Sequence, residues 1–350
     1  MAYLLEIRAG IISAYRKYEN YIVPAFRFLV VFAAMRILCA RIGYSRNLSG
    51  LLPSLIVSLV CTLMPAGGAA VILGLVAAAQ FYFLALEVSA AWLVFLLLLL
   101  LLYFRFSPKD GMLLLLYPVC FALGIPYVLP LAAGLLFLPS SAVTCAVGIA
   151  AVCFGRYIAA NESYFSTSVD ATEMAGRLKF IIDGIAQNRQ AFVMIGAAAV
   201  SVVAVYIIRR LVIRYSWHIA VVVGAILQLI VILLGDMRFG TNISVGGAFL
   251  GTLVSIVIAE IIVFFLFNLD YSRIEDTQFE DDEYYYYVKA IPKMTLPRAN
   301  RRVKQIYTSR QDLIGRLRDD PYGDGEEPYP EEDYDGGDYE DEYYPEEEDY

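Results

Sequence analysis

VCFALGIPYVLPLAAGL, residues 119–135, is apolar enough for a membrane interior but too interrupted to cross one as a single helix. A bilayer core about 30 Å thick needs roughly 20 apolar residues of helix. Here Gly124, Pro126 and Pro130 divide the run into two short pieces, 111–124 and 126–138. Proline removes a backbone donor and glycine frees the dihedrals. In lipid such breaks persist only where protein or a water-filled cavity satisfies the freed backbone groups. The two pieces are therefore either two short passages or a re-entrant hairpin.

A second break has related surroundings. VCTLMPAGGAAVILGLV, residues 60–76, carries Pro65, Gly67 and Gly68. Each stretch shows Val-Cys, then proline, then a helix rich in small residues and Leu or Val. The offset of 59 residues suggests an internal repeat, as in folds built from broken helices. Chance similarity between apolar low-complexity runs is the alternative.

Working outward, the chain of 350 residues is 59% hydrophobic, with mean hydropathy +0.61. That is too apolar for a soluble globular protein of this length. Candidate spans are 22–40, 51–64, 69–86, 88–104, 111–124, 126–138, 141–158, 191–208, 216–235 and 244–268. They predict an all-α polytopic membrane protein with about 8–10 transmembrane helices, some short or broken. The expected segments are an amphipathic interfacial helix (1–20), a first membrane bundle (21–158), an outer loop with an amphipathic helix (159–190) and a second bundle (191–270). A Tyr-rich juxtamembrane β-hairpin (271–293), a basic linker (294–323) and a disordered acidic tail (324–350) complete the chain.

The net charge of −8 hides a division. Residues 324–350 hold 15 of the 35 acids and no Lys or Arg, so the rest of the chain is basic. Arg209, Arg210 and Arg214, then Arg105 and Lys109, mark short basic loops and place them in the cytoplasm. Both termini then lie inside a plasma membrane. This holds for ten crossings and for eight, the count if one short pair is re-entrant. Arg41 and Arg46 fall on the outer side, against that trend. In the outer loop, Asp170 and Glu173 have capping-box spacing. Met174, Leu178, Ile181, Ile182 and Ile185 form the stripe of a helix over about 170–188 that rests on the membrane surface or covers the bundle; an external docking surface is the alternative.

Ionisable groups at membrane depth are costly and invite a functional reading. Glu260, in the last span, should face the bundle and find a donor, with Gln228 or an arginine of the first span as candidates. It is either a structural polar clamp or a proton- or cation-coupled site. Glu87 sits between two spans, at a water interface or a site. Arg27 and Arg36 lie near opposite ends of the first span, on opposite sides of the helix, where they reach head groups by snorkelling.

The five cysteines lack metal-ligand spacing and read as small buried hydrophobes. The single histidine, His218, pairs with Trp217 as interfacial residues. Nucleophile-elbow, phosphate-loop and zinc-protease motifs are absent. No enzyme activity, cofactor or nucleic-acid partner is expected, with a membrane-embedded enzyme left as the alternative.

Beyond the last span, RIEDTQF (273–279) and YYYYVKAI (284–291) are β-prone and flank an acidic turn. In a hairpin, Tyr284 and Tyr286 share one face with Val288, while Tyr285 and Tyr287 share the other with Lys289. Such a surface suits docking, since Tyr offers contact area with a polar tip; an interfacial anchor is the plainer reading. The tail's tyrosines read as stickers or phosphorylation sites in a solvated segment.

At FRFSPKDG (104–111), GIPYVLPLAAGL (124–135) and FEDDEYYYYVKAIPK (279–293), the chain resembles a group of uncharacterised multi-pass membrane proteins of clostridia-type Gram-positive bacteria. The likeness covers residues 1–293 and implies a membrane component loosely labelled transporter permease. The coupling-loop pattern of importer permeases is missing. The expected function is a transport or permease-type component with a cytoplasmic docking element. The alternative is a non-transporting scaffold that recruits a cytoplasmic partner through 271–350. The expected partners are the lipid bilayer and a cytoplasmic protein such as an ATPase, with homo-oligomers left open.

Overall fold

Long apolar runs become helices in lipid because only a helix satisfies its backbone groups within one segment. The structure is a computed structural model. It describes residues 2–166, 171–211, 215–241, 243–266, 275–280 and 285–290. The helices are α1 (Ala2–Ile42), α2 (Leu51–Leu63), α3 (Ala66–Leu84), α4 (Leu86–Phe106), α5 (Gly111–Ala122) and α6 (Val128–Leu136). They continue with α7 (Ser141–Ala160), α8 (Glu162–Phe165), α9 (Ala171–Ala186), α10 (Arg189–Arg209), α11 (Ser216–Phe239) and α12 (Val245–Leu266). Seven of them are long and apolar enough to cross a membrane: α1, α3, α4, α7, α10, α11 and α12. The chain is a multi-pass integral membrane protein. Within α1, Tyr18 leaves helical geometry and joins two helices across a kink.

Contacts between helix ends fix the direction of each helix. On one face, a Cβ built on Gly155 of α7 would stand 2.9 Å from Ile42 at the end of α1. Gln80, near the end of α3, accepts from the Ser45 backbone at 2.8 Å and donates to Ser49 Oγ at 3.2 Å, holding the α1–α2 loop. Arg177 of α9 meets Glu87 in the first turn of α4. On the opposite face, Ser107 after α4 donates to the Ser140 carbonyl before α7 at 2.6 Å. The guanidinium of Arg8, near the start of α1, lies 5.8 Å from the Phe264 ring near the end of α12. We call these the α9 face and the terminal face.

The central pair α5–α6 starts and ends on the terminal face. Gly111 opens α5 directly against the start of α3; an added Cβ would lie 2.4 Å from the Gly67 nitrogen, so only glycine permits this approach. At the other end of the pair, Arg209 of α10 binds the carbonyls of Leu135 and Phe137. With 12 and 9 residues, the two helices are about 18 and 14 Å long and fall short of a crossing. They form a helical hairpin whose two ends lie on one face of the bundle. α2 has only 13 residues, yet it joins the α9 face to the terminal face where α3 begins.

The hairpin turns through a Schellman motif. Gly124 takes φ +76°. The Ile125 N–H donates to the Cys120 carbonyl at 2.9 Å and the Gly124 N–H to that of Phe121 at 3.3 Å. Two end carbonyls of α5 are thereby satisfied without water. Pro130 sits in the first turn of α6, where its missing N–H needs no helical partner. All of α6 from Val128 to Leu135 is buried. Lipid gives no hydrophobic drive between helices, so close packing and internal hydrogen bonds hold this arrangement.

α9 covers the α9 face of the first bundle. Ile181 is buried with Phe81, Trp92, Phe154 and Ile158. The expected stripe needs one correction: Ile182 is exposed, and Arg177 takes the covered position one turn before Ile181. Asp170 lies outside the described residues, so its capping role does too.

A separate unit begins at Ile274. In it, β1 (Glu275–Glu280) and β2 (Tyr285–Ala290) pair antiparallel, with Thr277 opposite Val288, Gln278 opposite Tyr287 and Phe279 opposite Tyr286. Tyr284, the turn at 281–283, the basic linker and the acidic tail lie outside the described residues.

Candidate functional site

The ends of the short helices are held by arginines from neighbouring spans. Arg27 of α1 donates to the Met64 carbonyl at 2.8 Å and to that of Thr62 at 3.5 Å. This closes the C-terminus of α2, where four carbonyls lack helical donors and the dipole favours a cation. Arg209 does the same for α6. Arg36 donates to the Ser49 carbonyl at 2.9 Å and steadies the approach to α2. Arg27 and Arg36, expected to reach head groups, thus also bind backbone carbonyls within the chain. Their long stems bring both guanidinium groups to the segment that follows α1, although nine residues place them on opposite sides of it.

The two predicted breaks have different jobs. Pro65 caps the start of α3, and Gly67 admits the start of α5 and the Tyr103 ring, while Gly68 meets only ordinary contacts. Pro126 and Pro130 line a space of about 10 Å³ with Tyr127, Met194 and Gln228, room for about one water. Gln228 is buried, and its Oε1 has no hydrogen-bond partner among the described residues. An unpartnered buried acceptor beside a helix break is an energetic cost that a bound group would relieve.

A larger space lies in the first bundle. A cleft of about 400 Å³ runs between α1, α3, α4, α5 and α7. Its walls are apolar, with Trp92 among them, and Arg41 and Arg156 are the charged residues on its lining. Trp92 spends its N–H on the Gly74 carbonyl at 2.8 Å.

Glu87 and Arg177 are both buried where α9 covers the bundle, 3.9 Å apart. Arg177 also donates to the Phe165 carbonyl at 3.3 Å. Nearby, burial, with Glu162 adding to it, pushes the Tyr44 hydroxyl up to about 12. On the terminal face, burial raises the Asp110 carboxyl above its ordinary 3.8.

Among the described residues, Glu260 meets neither Gln228 nor an arginine. Its Oε2 lies 2.5 Å from His218 Nδ1, and both side chains are partly exposed, 32% and 51%. The pair joins the beginning of α11 to the last turns of α12, so Glu260 sits nearer the terminal face than its place in the apolar run suggested. Trp217 lies with Arg209, 5.8 Å from guanidinium to ring.

Sequence reasoning missed Arg41, Arg156, Arg177 and Arg209 as site residues. Arg209 stood in a basic cluster that had already been read as a topology signal. Of Tyr284–Tyr287 and Lys289, the structure describes only the backbone from Tyr285 onward, in β2. Comparison with family models, curated proteins and solved structures found no match for the chain.

Proposed function

We propose that the chain is a transport-type membrane component in which the α5–α6 hairpin handles the solute. The observation that carries this reading is the hairpin itself. Its helices are short for a crossing, α6 is buried from Val128 to Leu135, and the unpartnered Gln228 acceptor stands beside its break. Irregular backbone at such depth is where secondary transporters hold their cargo. The terminal face is the cytoplasmic one, because Arg105, Lys109 and Arg210 lie in or beside the loops there. Glu260 with His218 is the candidate coupling pair. The reading requires no catalysis.

Thiol labelling tests it. Leu123 lies exposed at the hairpin tip. Leu123→Cys, with the five native cysteines replaced, should react with a membrane-impermeant reagent added to either side in turn. Reaction from one side only, or from neither, removes the support for passage. Glu260→Gln should then abolish transport.

The second reading is a scaffold in the plasma membrane. The antiparallel pairing of β1 with β2 favours it, with Gln278 opposite Tyr287 and Phe279 opposite Tyr286, because it forms a Tyr-rich element outside the bundle for a partner to bind. A pull-down from mild detergent compares the full chain with one ending at Asp270. An ATPase recovered only with the full chain supports transport with docking, whereas a cell-envelope or cytoskeletal protein supports the scaffold.

A further inference from the structure

We propose that the cleft between α1, α3, α4, α5 and α7 binds a phosphate-bearing anionic membrane lipid, its chain against the apolar walls and its head group on Arg41 and Arg156. The proposal goes beyond transport, since it concerns binding alone and stands in either functional reading.

Three observations carry it. The cleft holds about 400 Å³, within the usual range of about 300–1,000 Å³ for ligand sites. Along α7 its lining runs from Val147 to Ala160, a length of about 20 Å, which suits a chain lying parallel to the helices. The second observation is charge. Every lining residue is apolar except Arg41 and Arg156, and no Asp or Glu is among them. Neither arginine forms an ion pair among the described residues. Third, the two cations line the same part of the cleft. A Cβ on Gly155 would stand 2.9 Å from Ile42, and Arg41 and Arg156, the residues next to these two, both line the cleft. The Arg156 guanidinium lies 6.0 Å from the Phe121 ring near the end of α5. Apolar walls beside two guanidinium groups fit an amphiphile with an anionic head, and guanidinium matches phosphate with paired hydrogen bonds. A neutral lipid would leave both cations without an acceptor. Arg41, anomalous for a loop on the outer side, has a role in this arrangement.

Trp92 lines the cleft and is one of only two tryptophans, which supplies the probe. The full chain carrying Trp217→Phe is placed in phosphatidylcholine vesicles. Chain-brominated phosphatidylglycerol or chain-brominated phosphatidylcholine is then added in increasing mole fraction. Half-quenching of Trp92 should need about tenfold less of the anionic lipid, the order two charge-assisted contacts supply. Arg41→Gln with Arg156→Gln should remove that preference, and Arg156→Lys should keep most of it. Equal quenching by the two lipids, or quenching by neither, overturns the proposal. So does a preference that survives the double substitution. The head-group comparison uses both native arginines and does not depend on their variants folding. Inorganic phosphate at millimolar concentration should leave the quenching unchanged; relief by phosphate alone would make a free anion the occupant and overturn the lipid assignment.

Discussion

Arg177 stands 3.9 Å from Glu87, and α9 buries both side chains against the start of α4. A loop helix is thereby pinned to a membrane span by charge as well as by Ile181. Removing one partner of a buried pair leaves the other uncompensated, at a cost of about 3 kcal/mol or more. Glu87→Gln should lower the thermal midpoint in detergent clearly. Glu87→Gln with Arg177→Met should recover part of the loss, because no lone charge remains.

The His218–Glu260 pair gives the contrasting case. Both side chains are partly exposed, and ion pairs in such settings contribute about 0–1 kcal/mol. Glu260→Gln should shift the same melting curve by less than about 1 kcal/mol. A large loss would show that Glu260 is structural and would weaken its candidacy as a coupling residue.

Arg27 and Arg209 close the ends of α2 and α6. Hydrogen bonds to charged groups contribute about 1.5–3 kcal/mol. Arg27→Ala should speed backbone exchange in α2, and Arg209→Ala in α6, each leaving the other helix unchanged. Exchange that rises equally in both would indicate general loosening instead.

Two glycines should differ in their tolerance. Gly124→Ala meets open space and pays only for its left-handed backbone, about 1–2 kcal/mol. Gly111→Ala places its Cβ against backbone atoms of Ala66 and Gly67, which no rotamer change relieves. It should be the more damaging substitution, as read by expression of folded protein on size-exclusion chromatography.

Asp110 supplies a pH dependence. Burial raises its carboxyl in the folded chain above the ordinary 3.8, so the folded state holds this proton more tightly than the unfolded state. Its contribution to stability is greatest below 3.8. It falls as pH climbs through the raised folded value and is level above that. Asp110→Asn should flatten that part of the stability curve.

Much of this fold was legible because membrane thickness sets a length rule. Runs such as 88–104 and 216–235 could only be spans, and 111–124 with 126–138 could not both cross comfortably. That α5 begins and α6 ends on the same face needed the Gly111–Gly67 and Arg209–Leu135 contacts, which join residues far apart in sequence. The site was less legible for the same reason. Glu260, Glu87 and Gln228 stood out as polar groups in apolar runs, but their partners or neighbours, His218, Arg177 and Pro126, lie on other elements or in the turn between α5 and α6. Arg156 was hidden inside a span already accepted as ordinary, and Arg41 looked like a topology error.

The burial of α6 also orders events during synthesis. Chains fold largely from the N-terminus as they emerge, yet the helices that enclose α6 include α10, α11 and α12, which follow it by more than fifty residues. A segment with its prolines and too few residues to span has no stable place in lipid while it waits. The growing chain must therefore keep α5–α6 sheltered, against α7 or within the insertion machinery, until its last three spans arrive. A ribosome stalled after α7 would leave the hairpin without its enclosing walls.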